Sequence, residues 1–288
     1  QRAGRFLPTE RPVRVGRRRC HNQTTSSTPT DHLLASAKRR QSDTERAVAV
    51  PVAQDGHFDD ALEEVDRLHR PGTTMRLRPI QSLALAVLKT CRGLLGSIGV
   101  GHGKTLVAIL GAKVVGAKRP VVMVPPSLRE TFFVEFEKFS TSFDLPRVEL
   151  LAYSMLSRPE GTALLRRMAP DYIFADEAHS LRHPGSARTR RLLRYLEENP
   201  DTVFAAASGT LTSRSLRDYA HLARHALGEG SPLPLLESHL DSWCNAIDVD
   251  GRPSPTDWAT VEPLVDAFGE GPLCLLYTSD AADEEDSV

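Results

Sequence analysis

The sequence predicts an α/β protein with three layers, in which helices cover both faces of a central, mostly parallel sheet. From about Met75 onward, short β-branched or apolar runs alternate with helical patterns of roughly ten residues. Such alternation is typical of parallel strands that are joined by crossover helices. A glycine-rich segment follows one strand-like run and acidic residues follow another, so polar groups are expected to collect at the carboxyl edge of the sheet.

The elements follow one another in a regular order. The candidate strands are GLLGSIGV, RPVVMVP, VELLAY, DYIFAD and TVFAAAS, and the helical stretches between them include TLVAILGAKVV, LRETFFVEFEKF and RTRRLLRYLEE. One shorter amphipathic helix is predicted upstream, because apolar residues between Phe58 and Leu68 recur every three to four positions. Pro71 and Gly72 then interrupt the chain.

The two ends of the chain differ in composition from this pattern. Residues 1–57 begin with many basic residues, including Arg17–Arg19, and with the polar run HNQTTSSTPT, so we expect a disordered segment. It is either a basic arm that contacts nucleic-acid phosphates or a solvated tail. Residues 274–288 begin with CLLYTSDAADE, which matches the translation of a sequencing-library adapter. We therefore expect an artefactual tail and a natural sequence that stops near Leu273.

Composition excludes several classes of protein. The 36 basic residues nearly balance 37 acidic ones, so binding to nucleic acid would need a local basic patch. No apolar run approaches the ~20 residues that span a bilayer. The four cysteines are far apart in the sequence and form no CxxC pair, which argues against a zinc site or a disulfide framework. We expect a cytoplasmic protein of a bacterium or a phage-infected cell.

The strongest motif is GVGHGKT at Gly99–Thr105, which stands between a strand-like and a helix-like segment. Glycine lets the backbone curl so that successive N–H groups enclose a phosphate, and the following helix adds its positive N-terminal end. Lys104 would reach the β- and γ-phosphates, and the hydroxyl of Thr105 would ligate Mg²⁺. The residues of this loop predicted to bind nucleotide are Gly101, His102, Gly103, Lys104 and Thr105.

The second motif is DEAH, which follows the strand-like run DYIFAD. A carboxylate at the end of a parallel strand lies in the crevice where such sheets bind ligands. Asp176 is predicted to hold Mg²⁺, and Glu177 is predicted to orient or deprotonate the attacking water. His179 is predicted to relay the state of the nucleotide to the next motif.

Two weaker signals flank these motifs. The segment LRPIQ precedes the glycine loop and contains Arg78 and Gln81; the amide of Gln81 could pair with an adenine edge and select ATP. The segment SGT ends the last strand-like run, and its Ser208 and Thr210 could link the DEAH carboxylates to a moving partner domain. Alone, Gln81 is equally compatible with an ordinary solvent-facing helical residue, and SGT on its own is just a turn.

Taken together, these segments resemble the first RecA-like domain of superfamily 2 helicases and translocases, most closely the Swi/Snf-like or phage DEAH-type branch. The matches in order are LRPIQ, GVGHGKT, VVMVPPSLRETFFVEFEKF, DEAH and SGT. The resemblance implies that residues 58–227 form this RecA-like P-loop domain and that residues 228–273 form an irregular or helical insertion after it. Ile98 replaces the first glycine of the strict phosphate-loop pattern, a position that helicase-type loops relax.

The resemblance also implies a function. The parent protein would be a DNA-stimulated ATPase that uses ATP and Mg²⁺ and acts on DNA, which we expect to be double-stranded. The family's second RecA-like domain, with its arginine fingers, does not appear in the sequence. Losing an arginine finger typically costs ~10³- to 10⁵-fold in rate, so we expect weak ATP binding and very slow hydrolysis by this chain alone. Nucleic acid is expected to contact loops near Ser127 and Arg129 and after Tyr153–Ser154.

Two other interpretations remain open at this point. A P-loop protein could use the nucleotide as a switch and never touch nucleic acid; nucleic-acid stimulation of the ATPase would separate this reading from a motor. Within the motor class, the same lobe could drive the endonuclease of a type I or type III restriction enzyme.

Overall fold

The structure is a computed structural model, and it describes residues 43, 56–209, 211, 215–248 and 250–268. Most of the predicted basic segment at 1–57, and all of the predicted tail at 274–288, lie outside the described residues. None of the described helices is both long and apolar enough to cross a membrane.

A five-stranded sheet forms the centre of the described chain. Its strands are β1 (Gly93–Ser97), β2 (Pro120–Val124), β3 (Glu149–Ala152), β4 (Tyr172–Asp176) and β5 (Val203–Ser208). Their order is β1-β5-β4-β2-β3, and every neighbouring pair is parallel. The predicted α/β fold with a parallel sheet is therefore confirmed. Ala207 of β5 pairs with both Gly96 and Asp176, so the ends of β1 and β4 lie level on either side of β5.

Helices occupy most of the remaining described chain. In order they are α1 (Gly56–Asp66), α2 (Pro79–Cys91), α3 (Lys104–Val114), α4 (Arg129–Ser140), α5 (Tyr153–Ser157), α6 (Gly161–Met168), α7 (Ala187–Glu198), α8 (Arg217–Leu227), α9 (Glu237–Ile247) and α10 (Pro255–Phe268). Short 3₁₀ turns follow β2, β4 and α8, at Pro126–Leu128, Ala178–Leu181 and Gly228–Gly230.

The sheet is buried on both faces because successive side chains of a strand point in opposite directions. In β4, Tyr172 and Phe174 belong to a core that also holds apolar residues of α2, α3 and α4. Ile173 and Ala175 belong to a second core, with residues of α5, α6, α7 and α8. This alternation produces the predicted three layers. It also assigns Asp176, two residues after Phe174, to the face that α3 covers.

The described part of the predicted insertion at 228–273 is helical. Helices α9 and α10 pack against each other and against α8 around a third small core that contains Trp243, Leu240 and Val261. Burial of the whole Trp243 side chain fixes α9 against α8, because large apolar surface is removed from water there. His239 of α9 contacts the carboxylate of Asp43 at 2.7 Å, and both side chains are buried.

Candidate functional site

The segments singled out by the sequence meet in one cleft at the carboxyl edge of the sheet. The cleft has a volume of about 430 Å³ and is lined by residues of LRPIQ, of the glycine loop and of DEAH. Lys104 and Asp176 both line it, although one begins α3 and the other ends β4. Its volume lies in the range of roughly 300–1,000 Å³ that small-molecule ligands occupy in proteins.

The glycine loop has a backbone that other residues adopt with difficulty. Gly101 and Gly103 have φ angles of +80° and +75°, in the left-handed region. At Gly103 an added Cβ would also lie 2.2 Å from Nε2 of Gln81, so the Gln81 amide would have to move. Gly103 directly precedes α3, so this conformation turns the chain from the loop into the first turn of the helix.

Lys104 is the central cation of the cleft. Its side chain is only 8% exposed. The amine lies 3.2 Å from Oε1 of Glu177 and donates to the carbonyl oxygens of Ile98 and Gly99 at 3.2 and 3.4 Å. Ile98, which replaces a motif glycine, thus contributes its carbonyl while its side chain is buried in the core. Thr105 also lines the cleft, and its role as a metal ligand stays a prediction.

Asp176 lies buried at the end of β4. Its carboxylate accepts a hydrogen bond from the backbone N–H of Glu177 at 3.0 Å, and its carbonyl accepts one from the hydroxyl of Tyr153 at 2.6 Å. The pKa of Asp176 is raised to about 6, mainly by burial and then by the charge of Glu177, while the charge of Lys104 opposes both. Because ionisation of this buried carboxyl group is unfavourable, a cation bound beside it would stabilise its charged form.

Glu177 adopts an unusual backbone conformation. Its φ and ψ angles are 53° and 58°, which is left-handed and uncommon for glutamate. Such strain of about 1–3 kcal/mol is often found at functional sites. One carboxylate oxygen contacts Lys104, and the other lies 3.2 Å from Nδ1 of His179 and 3.5 Å from Oγ of Ser208. His179 and Ser208 are 3.4 Å apart, whereas Thr210 lies outside the described residues.

Gln81 joins α2 to the glycine loop. Its Nε2 donates to the carbonyl of His102 at 2.9 Å, and its Oε1 accepts from the backbone N–H of Arg78 at 2.9 Å. The guanidinium of Arg78 donates to the carbonyl of Gly101 at 2.9 Å. In this arrangement both ends of the Gln81 amide contact protein, so adenine recognition by Gln81 stays a prediction. The side chain of His102 contacts the carbonyl of Val100 at 3.2 Å.

One wall of the cleft was not predicted from the sequence. It is a face of α4 that contributes Thr131, Phe132, Glu135, Lys138 and Phe139. These residues recur at a spacing of three to four positions, which places them on one side of a helix. The helix itself was predicted, but periodicity does not indicate which cavity a partly polar face borders.

The residues of the cleft suit Mg²⁺ with a phosphate ligand. Thr105 and Asp176 offer hard oxygen donors, and Mg²⁺ is usually held by one or two carboxylates together with substrate phosphates. Among the described residues, no group of three or more His, Cys, Asp or Glu side chains could hold a metal ion.

A second feature is a basic groove beside the edge strand β3. We use this name for the surface around Met155 that Arg129, Arg158 and Arg167 line. All three arginines are exposed, and Glu149 and Glu160 lie at the same surface. The groove includes Arg129, which was predicted to contact nucleic acid. It also includes Met155, which directly follows the segment Tyr153–Ser154 named in the same prediction.

No protein-family model matches this chain, and no curated protein is significantly similar to it. Membership of a family therefore stays a proposal. It depends on the order of the motifs, which span residues 77–210, and on the geometry of the cleft, whose lining spans residues 75–177.

Proposed function

We propose that this chain is the ATP-binding lobe of a nucleic-acid-dependent ATPase, a helicase or duplex translocase of superfamily 2. One observation carries the proposal: the amine of Lys104 and the carboxylates of Asp176 and Glu177 converge in one cleft at the carboxyl edge of a parallel sheet. A glycine loop, a buried lysine and two acids at the end of a strand are the groups that the first lobe supplies for phosphoryl transfer from a nucleoside triphosphate.

Each residue has a definite part in the proposed reaction. The N–H groups of the glycine loop and the start of α3 would bind the phosphates, with Lys104 as the balancing cation. Thr105 and Asp176 would hold Mg²⁺, which when bound neutralises charge on the phosphates. Glu177 would orient the attacking water.

The ion pair between Lys104 and Glu177 suggests the order of events. A phosphate that binds the Lys104 amine would compete with Glu177 for it, because both are anions. Release of Glu177 from Lys104 would free its carboxylate to accept a hydrogen bond from water. The contacts of Glu177 with His179 and Ser208 would then change as well, which supports the predicted relay from DEAH to the last strand.

The basic groove supports the nucleic-acid part of the proposal. Its three guanidinium groups could contact successive phosphates, and such contacts position a nucleic acid without reading its sequence. The overall charge of the chain is −1, so a local patch of this kind is what binding would need. The groove also lies beside α4, which borders the nucleotide cleft.

Nucleotide binding tests the first half of the proposal. Replacing Lys104 with alanine should abolish binding of a fluorescent ATP analogue in the presence of Mg²⁺, because the phosphates lose their buried cation. Lys113→Ala is the matched control on the same helix, since Lys113 forms an exposed ion pair with Asp144 at 2.6 Å. Equal binding by wild type and Lys104→Ala would contradict the proposal.

Stimulation of hydrolysis by nucleic acid separates a motor from a nucleotide switch. The hydrolysis rate of a full-length version, with the second RecA-like domain that the resemblance implies, should rise when duplex DNA is added. A full-length version that hydrolyses ATP but shows no response to duplex or single-stranded DNA, at any salt concentration, would instead support the switch.

A further inference from the structure

A buried tyrosine contacts the peptide group that joins the two acids of the cleft. Tyr153 is the first residue of α5, directly after the edge strand β3, and its side chain is 1% exposed. Its ring belongs to the second core, together with Ile173 of β4. Its hydroxyl donates to the carbonyl of Asp176 at 2.6 Å. Because this side chain is buried, its hydroxyl acts inside the protein and not on a nucleic acid at the surface.

The carbonyl of Asp176 lies at the junction of the two acids. On the side of β2, strand pairing ends at Ala175, so Asp176 is one residue past the last pair. Its carbonyl and the N–H of Glu177 belong to one planar peptide group, in which they point in opposite directions. The hydroxyl of Tyr153 binds the carbonyl, and the carboxylate of Asp176 accepts from the N–H at 3.0 Å. Both sides of this peptide group are therefore held.

The orientation of this peptide group determines where Glu177 points. Glu177 has φ and ψ angles of 53° and 58°, and a left-handed backbone at a residue other than glycine persists only where its surroundings hold it. From this backbone the carboxylate reaches Lys104 at 3.2 Å and Ser208 at 3.5 Å. A rotation of the preceding peptide group would move the whole side chain. The hydroxyl of Tyr153 thus influences the direction of the carboxylate that is proposed to orient water.

Two other buried tyrosines form bonds of the same kind away from the cleft. The hydroxyl of Tyr172 donates to the carbonyl of Ala108 in α3 at 3.1 Å. The hydroxyl of Tyr195 donates to the carbonyl of Pro170, before β4, at 3.0 Å. None of these four described residues lines the cleft. The bond of Tyr153 differs from both, because its acceptor is the backbone of a cleft residue.

We propose that Tyr153 is a positioning residue for hydrolysis. Its hydroxyl holds the carbonyl of Asp176 and so keeps the carboxylate of Glu177 in the direction from which it orients the attacking water. This inference rests on the proposed function of the cleft. It adds to that function a residue of α5 that does not itself line the cleft and that acts through the two acids.

The test measures ATP binding and ATP hydrolysis separately, on the full chain with Mg²⁺. An excess of protein over radiolabelled ATP gives the rate of a single turnover, however slow it is, and a nucleotide titration gives the Kd. Tyr153→Phe removes the hydroxyl and keeps the ring that packs in the core. It should lower the single-turnover rate about tenfold and change the Kd by less than about twofold, because one buried hydrogen bond is lost.

Tyr172→Phe is the matched control. It also removes a buried hydroxyl that donates to a backbone carbonyl, but one that lies away from the cleft. Its rate and Kd should equal those of wild type. Hydrogen exchange gives a readout that needs no activity: the amide of Glu177 should exchange at least tenfold faster in Tyr153→Phe and at the wild-type rate in Tyr172→Phe.

A double variant separates positioning from general damage to the fold. When Glu177 is already replaced by glutamine, Tyr153→Phe should cause no further loss of rate, because the carboxylate through which the hydroxyl acts is gone. A merely structural tyrosine would lower the rate again in that background.

The outcomes separate the two proposals. If wild type binds no ATP, the proposed function fails and the role of Tyr153 fails with it. If wild type binds ATP but hydrolyses it no faster than Glu177→Gln, Glu177 orients no water and only the role of Tyr153 is overturned. An unchanged rate or unchanged exchange in Tyr153→Phe, an equal loss in Tyr172→Phe, or a further loss in the double variant overturns that role as well.

Discussion

Asp176 and Glu177 are adjacent in the chain, but they meet different surroundings. Asp176 is 6% exposed and its carboxylate bonds to backbone, whereas Glu177 turns through a left-handed backbone to reach Lys104. The period of two in β4 directs Asp176 toward α3, and the break after the strand redirects Glu177. The two neighbouring carboxylates can therefore have the different roles proposed for them, Asp176 as a metal ligand and Glu177 as the group that orients water.

The raised pKa of Asp176 predicts a dependence of stability on pH. Because this pKa rises from 3.8 to about 6, the folded chain holds a proton that the unfolded chain releases between these values. The free energy of unfolding should therefore fall as pH increases through this window, by about 3 kcal/mol in total. The same deprotonation creates the metal ligand, so binding of Mg²⁺ with nucleotide should weaken as pH falls through about 6.

Denaturant unfolding of Asp176→Asn measures this cost. The variant removes the charge, so its stability relative to wild type should be greater at pH 8 than at pH 4, by about 2 kcal/mol. Asp144→Asn is the control: Asp144 is exposed, and its bond to Lys113 lowers its pKa, so no such gain is expected. A stability difference that does not change with pH would contradict the assignment.

At the scale of elements, the glycine loop and α3 act as one unit that α2 holds in place. Arg78 and Gln81 at the start of α2 bind the carbonyl oxygens of Gly101 and His102. Both bonds use carbonyl groups of the loop and none of its N–H groups, although the N–H of His102 donates to the carbonyl of Gly99 at 3.4 Å. The segment LRPIQ thus supports the shape of the loop, whatever it contributes to base recognition.

Gly103→Ala tests the shape of this loop. An alanine at a φ of +75° costs about 1–2 kcal/mol, and its Cβ would also displace the Gln81 amide. We expect lower stability in thermal unfolding. We also expect at least tenfold weaker ATP binding in a nucleotide titration, because a distorted loop would lose a hydrogen bond from its backbone N–H to a charged phosphate. Gly116→Ala separates the cost of the backbone conformation from the displacement of Gln81. Gly116 has a φ of +71°, but no atom lies within 4 Å of an added Cβ.

Gly116→Ala should lower stability by about the same backbone cost and leave ATP binding unchanged. If Gly103→Ala also leaves ATP binding unchanged, the contact between Gln81 and the loop does not shape the nucleotide site. Loss of binding in both variants would indicate a global effect on α3 instead.

At the scale of the whole molecule, the order of the strands places the nucleotide cleft at the carboxyl edge of the sheet and the basic groove along its edge strand β3. The glycine loop follows β1, DEAH follows β4, and the basic groove adjoins β3 at the other side of the sheet. Helix α4 borders both the cleft and, through Arg129, the groove. A shift of α4 on nucleotide binding would therefore reach the proposed nucleic-acid surface.

The basic groove predicts a salt-dependent affinity for DNA. Replacing Arg129, Arg158 and Arg167 together with alanine should weaken DNA binding and reduce the slope of log affinity against log salt, by roughly 0.9 for each lost phosphate contact. Arg166→Ala is the control, because Arg166 is paired with Glu198 next to Arg167 in the chain. Fluorescence anisotropy over a salt series gives both quantities, and an unchanged slope would exclude this groove.

The sequence by itself determined the alternation of strands and helices, the glycine loop and the acidic end of a strand. Each of these features depends on adjacent residues or on a short periodic pattern. Only the tertiary structure decided that Lys104 pairs with Glu177, that Gln81 binds the loop and that Glu135 faces the cleft. These contacts join residues far apart in the chain. They depend on strand order, register and helix packing, which local periodicity does not encode.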